Sequence, residues 1–88
     1  MNKETERTLK NRDTLINLGI YISVLRKMQG LSQEALAENA GISRSLLSTI
    51  EAPGIVKVFS LDVLLNLADA LGMPPGDLLN ISEKDIIK

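Results

Sequence analysis

Leu15, Leu18, Ile22 and Leu25 stand three and four residues apart, the spacing of one helix face. The pattern predicts a helix from about Thr14 to Gln29, with Gly30 ending it. Gly19 falls inside this helix, where glycine costs about 1 kcal/mol relative to alanine. A neighbour approaching closely at that point would account for it. From Ser60 to Leu71 the chain is apolar almost all round. Leu61, Leu64, Leu65, Ala68 and Leu71 form one face, and Val63, Leu67 and Ala70 a second. Only Asp62, Asn66 and Asp69 mark a polar stripe, which places this helix at the centre of a core or against a partner. Gly72 closes it, and Met73-Pro74-Pro75-Gly76 reads as a rigid turn. Asp77 to Asn80 adds one helical turn with Leu78 and Leu79 inward.

One device marks four helix starts. An apolar residue precedes a serine, and a second apolar residue follows four positions later. It occurs at Leu31-Ser32…Leu36, Ile42-Ser43…Leu47, Phe59-Ser60…Leu64 and Ile81-Ser82…Ile86. A serine at the cap accepts one of the unpaired N–H groups of the first turn. The flanking apolar pair fixes the angle at which the chain enters the helix.

The first two of these starts lie close together. They predict helices over Ser32–Asn39 and Ser43–Ala52, joined at Gly41, which can take positive φ and turn the chain sharply. Leu36 and Ala37 line the inner side of the first, Leu47 and Ile50 that of the second. Ala37 is small enough for the helices to cross closely. Two short helices meeting steeply through a glycine turn make a helix-turn-helix. Arg44, Ser45, Ser48 and Thr49 are then left on the outer face, and Leu46 stands between core and outside.

The chain resembles the phage-repressor and Cro-like (XRE-type) family of helix-turn-helix DNA-binding domains from about Leu18 to Leu79. The residues that carry the likeness are LG..I..LR...GLSQE.LAE.AGIS...LS.IE, followed by SLD.L..LADALG. The resemblance implies an all-α fold, a compact five-helix bundle of the lambda-repressor-like type, with the helix-turn-helix at its second and third helices. It implies duplex DNA as partner and Ser43–Ala52 as recognition helix. In the family an arginine at the position of Arg26 pairs with the glutamate ending the recognition helix, here Glu51. A glutamine at the position of Gln33 serves on phosphate and braces the next helix. The loop Pro53–Val58 departs from the family pattern. Ala52 and Pro53 stand where a glycine is common, and Lys57 is the only cation.

In such a helix the first turn points into the major groove. Arg44 can make a bidentate contact to guanine O6 and N7, Ser45 can serve several bases, and Thr49 offers a hydroxyl and a methyl. These three are the expected base contacts. Gln33, Ser43, Ser48 and Lys57 are the expected backbone contacts, and Arg26 with Glu51 the expected structural ion pair.

The 88 residues suffice for one domain. Residues 1–13 are polar and read as a flexible N-terminal arm, with an extra short helix or an arm along DNA as the alternatives. Residues 14–81 form the DNA-binding domain. Residues 82–88 are a tail in which Ile86 and Ile87 suggest either a last helical turn with a partner surface or a loose end. Without Cys or His, disulfides, zinc fingers and imidazole catalysis drop out of the inventory. No metal or cofactor is expected, no small-molecule substrate is evident, and an enzyme is not expected. No apolar run reaches the roughly 18 residues of a membrane span and no secretory signal opens the chain, so a cytoplasmic protein is expected.

Net charge is −1, poor for a DNA binder, but its distribution matters more. Beyond residue 57 only Lys84 and Lys88 face Asp62, Asp69, Asp77, Glu83 and Asp85. The acid sits where a dimer contact or a solvent face would tolerate it. The leading reading is a sequence-specific regulator, binding as a homodimer to a two-fold symmetric operator and acting by occupancy. Restriction–modification controllers, small phage repressors and antitoxins are similar in size or fold. The other reading is a protein-interaction module of the same fold with weak or no DNA binding.

Overall fold

A computed structural model describes residues 2–80. Among them six helices follow in order: α1 (Lys3–Lys10), α2 (Arg12–Met28), α3 (Gln33–Ala40), α4 (Arg44–Glu51), α5 (Leu61–Ala70) and α6 (Pro75–Leu79). No strand occurs among the described residues. The five expected helices are α2 to α6, and the fold is all-α and lambda-repressor-like, with the helix-turn-helix at α3 and α4. α1 precedes them within the stretch 1–13, expected as an arm. Glu4 and Glu6 in its first turn suit the positive end of the helix dipole.

Each of α2 to α6 contributes one large side chain wholly removed from water: Ile22, Leu36, Leu47, Leu67 and Leu78. Burying a side chain of that size contributes about 1.5–3 kcal/mol, so the core binds all five helices at one centre. α3 packs on α4 and α5, while α2 packs on α4 and α6. α4 therefore lies between α2 and α3, its inner stripe of Leu47 and Ile50 in the core.

The serine caps fall where the pattern puts them. Ser32, Ser43 and Ser60 each accept from the backbone N–H three residues on, at 3.0, 3.0 and 3.2 Å. The fourth, at Ser82, lies outside the described residues, as do Ile81, Ile86 and Ile87.

Three expectations need correction. Leu61 and Leu65 do not join the inner face of α5 but are 67% and 42% exposed, whereas Leu67 is buried. At 100° per residue Leu61 and Leu65 adjoin the polar stripe of Asp62, Asn66 and Asp69. The core instead takes Leu64, Leu67, Ala68 and Leu71. Leu79 is likewise outward, 54% exposed, because the five-residue α6 turns only Leu78 inward. α6 begins at Pro75, two residues before the expected start, since proline at the first helical position loses no hydrogen bond.

Candidate nucleic-acid interface

The turn between α3 and α4 is built from Gly41 and Ile42. Gly41 takes φ +68°, and its N–H donates to the Glu38 carbonyl at 3.1 Å. The Ile42 N–H donates to the Ala37 carbonyl at 3.0 Å. This pair of bonds closes the carbonyls that end α3. Ile42 also packs against the core, ahead of the Ser43 cap. One residue thus ends α3 and steers the chain into α4.

α4 presents Arg44, Ser45 and Ser48 to solvent, with Thr49 half-buried beside them. These four line one open depression on the surface. The Thr49 hydroxyl donates to the Ser45 carbonyl at 3.0 Å. Its proton is committed, so toward a ligand it can only accept. Ser43 Oγ accepts from the Leu46 N–H and still has its own proton to donate. Leu46 is half-buried against the core.

Behind this face Glu51 gathers two side chains, those of Arg26 and Gln33. The Arg26 guanidinium donates through Nε to Oε2 and through Nη2 to Oε1, both at 2.9 Å. Its Nη1 donates to the Leu31 carbonyl at 2.8 Å. The Gln33 amide donates to Glu51 Oε1 at 3.1 Å. Arg26 and Glu51 are buried, with 10% and 4% of their side-chain surface exposed. The hydrogen bonds that Arg26 donates to Glu51 hold the arginine above its ordinary value, against the opposing effect of burial, and the neighbouring charge adds to the rise.

Sequence reasoning missed Lys27 and Gln29. Lys27 lines a groove with Ser23, Val24, Gln33, Ser48 and Pro53, so it shares a surface with two expected backbone contacts. Its position one residue after Arg26 was the available signal. Gln29 donates to the Leu71 carbonyl at 2.8 Å, pinning the end of α2 to the end of α5. Nothing in the sequence pattern marks that long-range bond. Lys57 is exposed in the loop after α4 and lines neither depression. Among the described residues no group of acidic side chains could hold a metal ion, and no helix is long and apolar enough to cross a membrane.

A short helix held on its apolar side, capped by serine and polar on its free side, after a glycine turn, defines a helix-turn-helix unit. A sequence model described as a helix-turn-helix domain matches residues 17–80, most of the chain, and the chain belongs to that family. The family's partner class is DNA, and its members are typically not enzymes. None of the curated proteins matches the chain closely enough to count as a relative.

Proposed function

We propose that this protein is a sequence-specific regulator that binds duplex DNA as a homodimer in the cytoplasm, with α4 in the major groove. The observation that carries the reading is the division of α4. Leu47 and Ile50 are buried, while Arg44, Ser45 and Ser48 stand free on the opposite side. Residues 14–81 make up the DNA-binding unit. Arg44 donates to guanine, Ser45 serves an adjacent base, and Thr49 accepts from a base amino group while turning its methyl to thymine. Gln33, Ser43, Ser48 and Lys57 meet phosphates, and Lys27 joins them from the groove. Arg26 and Glu51 hold α4 in place rather than touching DNA.

Apolar exposure supports the second copy. Val58, Leu61 and Leu65 are 59%, 67% and 42% exposed in the loop and first turns of α5. A two-fold pair would set the two recognition helices in successive major grooves, about 34 Å apart, on a symmetric operator. The same apolar side chains, with the net charge of −1, support the second reading, a module that binds another protein.

A salt titration separates the two. Lys27 and Lys57 on each subunit, four phosphate-meeting cations per dimer, give a slope of log affinity against log salt of about −4. Such a slope on duplex DNA supports the regulator. A flat response, or no duplex binding at low salt, supports the interaction module.

A further inference from the structure

Gly19 lies in the middle of α2 and faces the last turn of α4. A Cβ built there would overlap the carbonyl oxygen of Ile50, 3.0 Å from its carbonyl carbon and 3.6 Å from the Glu51 Cα. The obstacle is backbone, which cannot rotate aside as the tip of a side chain can. The two helices meet main chain to main chain at this point. Two turns further along α2, Arg26 reaches the carboxylate of Glu51. The C-terminal end of α4 is thus fixed to α2 twice, Gly19 setting the distance and Arg26 the register. The N-terminal end is held separately, by the Ser43 cap and by Ile42 closing on α3. With only eight residues, α4 would tilt about its capped start if its last turn moved.

On the reading of α4 as the DNA-recognition helix, we infer that Gly19 is a positioning residue for base readout. By admitting α4 to backbone contact it sets the tilt of the outer face. Thr49 adjoins the contact at Ile50, whereas Arg44 sits beside the pivot, so the tilt governs Thr49 more than Arg44.

Selection from a random duplex pool tests this with the wild type, Gly19→Ala, Arg44→Ala and Thr49→Ala. The base pairs each side chain reads are those whose preference relaxes when it is removed. Gly19→Ala relaxes the Thr49 position by roughly tenfold, the size of one mismatch, and the Arg44 position far less. Gly76→Ala is the control, since a Cβ there meets nothing within 4 Å, and it keeps the wild-type profile. Binding is read in the cold with an excluded osmolyte, which favours the compact state, and circular dichroism verifies the fold. A Gly19→Ala protein that melts earlier but keeps the wild-type profile overturns the inference, as does one that stays unfolded there. A wild type that selects no sequence overturns the DNA reading itself, a distinct result.

Discussion

Gln33 opens α3 and Glu51 closes α4, and the amide of the first donates to Oε1 of the second at 3.1 Å. The two helices are tied across their outer ends by a carboxylate that Arg26 also holds. Gln33→Ala removes one bond from a group that keeps its main partner, so stability falls by about 1 kcal/mol. On the proposed contact of Gln33 with phosphate, duplex affinity falls several-fold. Thermal melts and duplex titration check the pair of effects. A loss of stability with no loss of binding would remove Gln33 from the interface.

Glu51→Ala leaves the Arg26 guanidinium buried without its carboxylate partner, a cost of about 3–5 kcal/mol. In a domain of this size that lowers Tm by roughly 15 °C or more. Operator affinity, read well below the new Tm, drops only indirectly. Because the arginine is raised in the folded state, its contribution is complete below the ordinary arginine range and fades only as pH climbs through the raised value. The difference in Tm between wild type and Glu51→Ala therefore stays constant from neutral to mildly alkaline pH. A stable Glu51→Ala protein that no longer binds DNA would contradict this role.

Ser43→Ala deletes the 3.0 Å cap to the Leu46 N–H and lowers stability by about 1 kcal/mol in chemical denaturation, with the denaturant slope unchanged. No change in midpoint would show that the cap contributes nothing to α4.

Much of this was legible because local chemistry decided it. Ser32, Ser43 and Ser60 cap helices by contacts within three residues, and Gly41 turns the chain by its own freedom. Bounds shifted by only a residue or two where the serine serves as cap rather than first helical residue. The close approach expected at Gly19 is met by the Ile50 carbonyl. What the pattern could not give was which of two apolar stripes on α5 faces inward. That depends on where α3 lies, and it leaves Leu61 and Leu65 outward, whereas Leu79 is outward because the short α6 turns only Leu78 into the core. Gln29 to Leu71 spans 42 residues and leaves no periodic trace. Outside α4, Lys27 was passed over because its relevance comes from the groove it shares with Gln33 and Ser48.

Leu61→Glu places a charge on the exposed apolar surface at the start of α5. Since Leu61 is 67% exposed, the monomer keeps its fold and Tm to within a few degrees. Sedimentation shows a dimer converted to monomer, and operator binding weakens while a single half-site is bound as before. An unchanged dimer would move the contact elsewhere on the molecule.

The central claim, that the free side of α4 reads base pairs, is tested most directly by Arg44→Ala, with affinities measured on the selected operator and on random duplex. The predicted result is a loss of about 1–3 kcal/mol on the operator, with random duplex affected far less and the fold intact. Equal affinity of wild type and Arg44→Ala for the operator would contradict the claim.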